Sequence, residues 1–319
     1  MARVSPYALG ATLYMPATRS DLLEVISGRK LPSLRSLVIC LEDSVAGSDV
    51  EAALGQLRAV LRSIRAEGQR RTWSPLIFVR PRDAVMAAVV NDWPEIEAID
   101  GFVLPKCSLT SLPRWAAAVE NPALLVMPTL ETREVYSPAA MLELGTALRQ
   151  AFNDRVLALR IGGNDLMGCL GLRRNPCTTL YQTPMGYVIP MLAGVLGAQG
   201  FSLTAPVFEQ LASPALLGQE LQLDISHGLV GKTAIHPAQI APINEAFRVC
   251  AKDLDCARLI VSESAPAVFK HGSAMVEPAT HLNWARKIIE RAQWQGVRAP
   301  EAAVAESARR PLTCSKYMP

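Results

Sequence analysis

A closed (β/α)8 barrel, the TIM barrel of the α/β class, with a helical extension at its C-terminal end, is the fold this sequence predicts. Three observations predict it. Short, nearly continuous apolar runs recur along the chain, as in strands buried on both faces of a parallel sheet. Segments with apolar residues at three- and four-residue spacing separate them, as in helices that cover such a sheet. Eight strand–helix units favour closure into a barrel. The alternative is an open, doubly wound sheet, but no GxGxxG opens the first crossover.

The strand candidates are residues 8–17 (ALGATLYMPA), 34–43 (LRSLVICLED), 76–82 (LIFVRPR), 101–106 (GFVLPK), 124–131 (LLVMPTLE), 156–163 (VLALRIGG), 201–208 (FSLTAPVF) and 231–237 (GKTAIHP). Between the second and third, DVEAALGQLRAVLRSIRAEG carries one apolar and one charged face, and Gly68 follows as a stop signal. SPAAMLELGTALRQAF opens on a Ser–Pro start signal. TPMGYVIPMLAGVLGAQG is mostly apolar and is expected to kink or split near Pro190. Beyond the eighth strand, 239–251 and 253–270 read as helices. Residues 271–296 then read as a turn and one more amphipathic helix. The expected organisation is a barrel over 1–250, a helical extension over 251–297 that covers the barrel or a neighbouring subunit, and a weakly ordered tail over 298–319.

Composition narrows the function. The 319 residues are 50% hydrophobic and 19% charged, with a net charge of +3. No basic run exists to track a phosphate backbone, so no nucleic-acid partner is expected. No apolar stretch reaches about 18 residues, so no membrane span is expected. The N-terminal apolar run reads as the first strand rather than a signal peptide. Seven cysteines without a CxxC pair suggest reduced thiols and a cytoplasmic location. Only four histidines are present, none at ligand spacing with a cysteine, which argues against zinc.

In this fold the C-terminal strand ends build the active site. Arg80, Glu131 and Asp165 close three of the runs. The two carboxylates suit Mg²⁺, which takes few protein ligands and shares its shell with substrate. The alternatives are a helix cap or salt bridge for Glu131 and a helix cap for Asp165. Gly162, Gly163 and Asn164 let backbone approach a ligand and offer N–H groups to a carboxylate. Arg80 and Arg82 lie two apart on one strand, so both are expected to face the mouth and grip a carboxylate or phosphate. One of them could instead pair with Glu42 or Asp43, which close the second strand. Glu42 and Asp43 could orient water, act as a base, or serve as caps. Lys106 either lends positive charge to the mouth or pairs with one of these acids. His236, before Pro237, reads as a hydrogen-bonding residue rather than a base.

Taken in order, LYMPATRSDLL, LVICLEDSV, FVRPR, GFVLPK, LLVMPTLET, LRIGGNDLMGCLG and GLVGKTAIHPAQIAPINEAF resemble the citrate lyase β-subunit-like branch of the HpcH/HpaI aldolase/citrate lyase family. The resemblance spans roughly residues 10 to 290. It implies a trimeric or hexameric (β/α)8 barrel whose C-terminal segment reaches a neighbouring subunit. It implies Mg²⁺ held by Glu131 and Asp165, with Arg80 on a substrate carboxylate or carbonyl oxygen. The activity implied is cleavage or formation of a carbon–carbon bond in a 3-hydroxyacyl-CoA or related hydroxy or oxo acid, through an enolate. Aldolase relatives act on 2-oxo acids and place a His after the Glu of strand two. Asp43 stands there in this chain and favours the lyase branch. Four positions depart from the family pattern. The first strand ends YMPAT rather than in a Pro–Gly turn. Ala205 and Pro206 stand where relatives carry an Asp. Glu277 is the one acid left in the C-terminal AMVEPAT element. Arg82 replaces an Asn, which suggests a more anionic substrate, with a second carboxylate or a phosphate. The remaining alternatives are a 2-oxo acid aldolase and a non-catalytic, metabolite-binding barrel.

Overall fold

The computed structural model describes residues 4–66 and 75–298. These form two compact units that divide between Phe247 and Arg248. Gly68 and the tail beyond Arg298 lie outside the described residues.

The first unit is a barrel. Its strands are β1 (Gly10–Pro16), β2 (Ser36–Cys40), β3 (Leu76–Arg80), β4 (Gly101–Leu104), β5 (Leu125–Leu130), β6 (Leu159–Ile161), β7 (Leu203–Thr204) and β8 (Gly231–Ala234). They lie in the order β7-β6-β5-β4-β3-β2-β1-β8, with every pairing parallel. The circle closes just past β7. Ala205 bridges Lys232 in parallel, and its N–H donates to the Gly231 carbonyl at 2.8 Å. An open sheet would leave β7 and β8 as edges, so the doubly wound alternative is excluded. All eight expected strands exist, each shorter than its apolar run. Only the central residues pair around the barrel, and the run ends bend away into loops.

Helices α1 (Leu22–Ile26), α2 (Val50–Ala66), α3 (Ala84–Asn91), α4 (Leu112–Ala118) and α5 (Pro138–Phe152) follow the first five strands. α6 (Gly163–Cys169), α7 (Met185–Ala198), α8 (Pro214–Ser226) and α9 (Ile240–Ala246) complete the unit. Their apolar stripes pack on the outward strand faces. α2, for example, buries Ala53, Leu57, Val60, Leu61 and Ile64, the spacing of one helical face. α5 starts where its Ser–Pro signal places it. Ser137 caps it by accepting the Ala140 N–H, and Pro138 takes the first helical position. α7 is not split at Pro190: one helix runs through it. The proline removes one intrahelical hydrogen bond, while Val188, Ile189, Leu192 and Leu196 stay buried on both sides of it.

Inside the barrel, alternate residues point to the axis. Leu9, Val38, Phe78, Val103, Met127, Leu157 and Ala158 form a dry plug in its lower part. Above it the inward positions turn polar, and that layer floors the site.

The second unit has its own small core around Ala257, Ile260, Val276 and Ala285. It contains a short parallel pair, β9 (Val249–Cys250) with β12 (Val297–Arg298), and helices α10 (Ala251–Ile260) and α11 (Pro278–Gln295). The helix expected over 253–270 stops at Ile260. Residues 269–276 form a hairpin instead, β10 (Phe269–His271) with β11 (Ala274–Val276). Gly272, at a φ of +59°, supplies the left-handed conformation its turn requires.

Candidate active site at the barrel mouth

At the C-terminal ends of the strands a cavity of about 410 Å³ opens into the barrel. Glu42, Asp43, Arg80, Glu131, Gly163, Asn164 and Asp165 all line it. The fold therefore brings these residues, singled out from the sequence, together with Gly162 around one cavity. Arg82 and Lys106 are not among its lining residues.

Arg80 is the organising cation. It is the last residue of β3 and is buried. Its Nη2 lies 2.6 Å from Glu42 Oε2 and 3.6 Å from Asp43 Oδ2, and donates to Glu131 Oε1 at 3.2 Å. Burial works against its charge, but Tyr14, Glu131 and Glu42 outweigh burial and hold its pKa above the usual arginine value.

The two acids after β2 differ in environment. Glu42 is buried between Arg80 and Lys106, whose Nζ donates to it at 2.8 Å. Burial opposes its ionisation, yet the two cations prevail and its pKa falls below the ordinary carboxylate range. Asp43 has a side chain 66% exposed. Partial burial and the adjacent Glu42 push its pKa up.

Arg82 does not reach the mouth. β3 ends at Arg80, so strand alternation no longer governs the side chain two residues later. The Arg82 guanidinium turns over the preceding loop, donating from Nε to the Leu41 carbonyl at 3.0 Å and from Nη2 to the Val45 carbonyl. It fixes the loop that carries Glu42 and Asp43. Lys106 takes the second of its two expected roles and pairs with an acid. Its ammonium is engaged by Glu42, while its backbone N–H donates to Glu131 Oε1 at 2.7 Å. Lys106 makes that hydrogen bond from a left-handed backbone, at a φ of +48°. Such a conformation costs a non-glycine residue roughly 1–2 kcal/mol. His236 caps the turn after β8, its Nδ1 accepting the Ala238 N–H at 3.2 Å, in line with a structural role. Glu277 belongs to the second unit, where its carbonyl accepts from the Thr280 hydroxyl ahead of α11.

Glu131 is buried directly after β5. Burial raises its pKa to about 7, against the pull of Arg80 and the Lys106 N–H; the charges of Asp165 and Glu42 add to the rise. One partly shared arginine does not satisfy this carboxylate, so the site has room for further positive charge. Gly162 makes the space for it. A Cβ there would stand 2.4 Å from Glu131 Cβ and 2.6 Å from Oε2. Asp165 sits in the first turn of α6, partly exposed on the same cavity. Among the described residues no three His, Cys, Asp or Glu side chains form a ready-made metal cage. A cation held here would have two protein carboxylates and take its remaining ligands from substrate and water, the arrangement that suits Mg²⁺.

Further residues complete the mouth and escaped the sequence reading. Glu209 lines the cavity, just beyond the strand-seven end that lacks an acid, and accepts from Asn164 Nδ2 at 3.1 Å. Arg174 supports that loop. It donates to the Val207 carbonyl at 2.7 Å, lies over the Phe208 ring and pairs with buried Glu220 at 2.6 Å. Tyr14, Thr129, Arg160 and Thr233 form the polar floor. Arg160 had a visible signal: an arginine at an inward position of an otherwise apolar strand.

Comparison with known proteins agrees with this fold. Residues 3–297 match the family model described as C–C bond lyase of the TIM-barrel fold. The chain belongs to this family. Within it, the relatives point to the citrate lyase β-subunit-like, HpcH/HpaI branch. A (3S)-malyl-CoA thioesterase of Cereibacter sphaeroides is 24% identical over 302 residues, covering 89% of this chain and 94% of the relative. A citrate lyase subunit beta-like protein of Deinococcus radiodurans is 27% identical over 288 residues, covering 85% and 92%. Among solved structures, CitE of Mycobacterium tuberculosis in complex with magnesium, acetoacetate and coenzyme A superposes with a TM-score of 0.64 at 22% identity, covering 90% of this chain and 99% of that one. A malate synthase of Haloferax volcanii in a magnesium/glyoxylate complex gives a TM-score of 0.64 at 13% identity, covering 88% and 82%. At these identities the structural likenesses establish the fold. No helix among the described residues is long and apolar enough to cross a membrane.

Proposed function

We propose that this lyase-family chain cleaves or forms a carbon–carbon bond beta to a carbonyl, in a small hydroxy or oxo acid or its CoA thioester, with Mg²⁺ bound between Glu131 and Asp165. The observation that carries the reading is one cavity in which both carboxylates face an arginine already set among acids. When bound, the ion supplies Lewis-acid stabilisation of negative charge on the substrate carbonyl oxygen. Crystallised neighbours described with magnesium and acetoacetate, or with magnesium and oxaloacetate, support the choice of ion and of acid.

The chain's own residues do the rest. Arg80 presents a fixed, fully charged donor to the oxygen on which the enolate charge develops. Burial makes that interaction stronger than it would be in water. Glu42 and Glu131, each itself bonded by Lys106, hold Arg80 in place, so little reorganisation is needed at the moment of reaction. Asp43 Oδ2, with its raised pKa, takes the hydroxyl proton of the fragment that leaves as a carbonyl and returns it in the reverse direction. Gly163 and Asn164 present backbone beside the cavity and orient a substrate carboxylate. The plug below excludes water from the floor. A homotrimer or hexamer and a cytoplasmic setting complete the reading.

Thioester hydrolysis is the second reading, favoured by the malyl-CoA thioesterase relatives. One experiment separates the two. A panel of acyl-CoA thioesters and 2-oxo acids is incubated with the protein and Mg²⁺, and products are identified by mass. Cleavage gives two carbon fragments, whereas hydrolysis gives free CoA and an intact acid. No Mg²⁺-dependent turnover across the panel would count against both.

A further inference from the structure

One cation in this cavity has no counter-ion. Arg160, on β6, is 1% exposed and lines the cavity. Among the described residues, every other deeply buried cation of the barrel faces a carboxylate. Arg80 faces Glu42 and Glu131, Arg174 faces Glu220, and Lys232 faces Glu220 and Asp224. Arg160 contacts only neutral groups. Nη2 donates to Thr233 Oγ1 at 2.6 Å, Nη1 reaches Thr12 Oγ1 at 3.4 Å, and the guanidinium lies 5.2 Å from the Tyr14 ring centre. Nε has no hydrogen-bond partner. Burial and repulsion from Arg80 disfavour its charge and prevail over the support of Tyr14.

Its neighbour across the sheet is also unsatisfied. Thr129 on β5 stands in register with Arg160, faces the same cavity, and leaves a buried Oγ1 without a partner. A buried arginine without a carboxylate is costly, and so is a buried hydroxyl left unpaired. Both are aimed at one space, and a compact oxyanion placed there would satisfy both.

We propose that Arg160, with the hydroxyls of Thr129 and Thr233, binds a second anionic group of the substrate, a carboxylate or a phosphate distal to the reacting carbonyl. The inference deepens the lyase reading and rests on it for the word substrate. It makes the acyl portion a dianion and sets the specificity of the site against monocarboxylic acids. The extra positive charge that the sequence suggests at Arg82 thus resides at Arg160.

Calorimetric titration of the full-length chain tests this, in Mg²⁺ and again in EDTA, with succinate, 3-phosphonopropionate and butyrate as probes. The wild-type protein is expected to bind one of the two dianions about ten- to a hundredfold more tightly than butyrate, the scale of a charged hydrogen-bonded contact. The tighter of the two identifies carboxylate or phosphate. Arg160→Met is expected to abolish the preference, with a ligand-free Tm no lower than wild type, because it removes an unpaired buried charge. If Arg160→Met does not fold, Arg160→Lys and Thr129→Val carry the test, each reducing the preference severalfold. No preference in the wild-type protein, or an unchanged preference in these variants, overturns the proposal. The two readings fail separately. A dianion preference without Mg²⁺-dependent turnover sinks the lyase reading alone. Turnover without the preference sinks the anion site alone.

Discussion

Replacing Lys232 with methionine tests how the barrel wall behind the site is held. Lys232 is fully buried on β8 and points outward to α8. Its Nζ lies 2.9 Å from Glu220 Oε1 and 2.8 Å from Asp224 Oδ2, two acids one helical turn apart. Glu220 has a second cation in Arg174, and its pKa lies below the ordinary value although burial opposes this. Among the described residues Asp224 has no second cation; the Tyr181 hydroxyl also reaches it, at 2.8 Å. Burial keeps its pKa above the ordinary value even with lysine present. Methionine fills the volume but leaves Asp224 charged and unpaired, or forces a proton onto it. Breaking a buried pair in this way costs about 3–5 kcal/mol. At roughly 2–4 °C per kcal/mol for a domain of this size, Tm should fall by about 6–20 °C.

The sign of the pH dependence follows from Asp224. A carboxylate whose folded pKa is raised contributes stability that is present below its unfolded pKa and lost as pH rises through the folded one. The variant should therefore regain stability as the buffer is taken from pH 8 towards pH 5, and adding Asp224→Asn should restore much of the loss at pH 7.5. Thermal unfolding across that range, with urea titration at its two ends, is the assay. A variant within about 1 kcal/mol of wild type at pH 7.5, or one whose deficit does not change with pH, would refute the reasoning.

Three other outcomes are expected. Gly162 has a φ of −85°, so Gly162→Ala costs nothing in the backbone; the methyl nevertheless collides with Glu131, and stability should drop by about 1–3 kcal/mol together with Mg²⁺ affinity. Arg80→Met leaves Glu42 and Glu131 buried without their shared cation; turnover should fall by more than about a hundredfold, the scale of losing one preorganised oxyanion donor, while circular dichroism still reports a folded barrel. Asp43→Asn removes the proposed proton carrier. In the wild type, activity should decline as pH falls through the raised Asp43 pKa, because the acid must be ionised to accept a proton; in the variant that acid limb should disappear from the kcat profile along with most of the rate.

The strands were legible because burial on both faces of a parallel sheet writes continuous apolar runs, as in 34–43 and 76–82. Their lengths were not, because pairing around a closed barrel stops where each strand bends outward, and no residue marks that point. The positions of Glu131, Asp165, Arg80 and Glu42 in one mouth followed from the rule that strand ends converge. Arg82 escaped because alternation predicts a side chain's direction only while the strand lasts. The pairing of Lys106 with an acid was legible, but its backbone N–H bond to Glu131 was not, because a positive φ at lysine leaves no trace in composition. The buried ion network of Arg174, Glu220, Asp224 and Lys232 depends on one helix face meeting one outward strand position, a tertiary contact between segments that each read as ordinary. The hairpin at 269–276 was hidden because its residues are mostly exposed and its strands are three residues long.

Divalent-cation binding measured directly is the sharpest test. Mn²⁺, a paramagnetic stand-in for Mg²⁺, is titrated into the wild-type chain, Glu131→Gln and Asp165→Asn, with the free ion followed by electron paramagnetic resonance. One site per chain, displaced by Mg²⁺ and weakened more than about tenfold in each variant, is the predicted result. Equal Mn²⁺ affinity in all three proteins would contradict it.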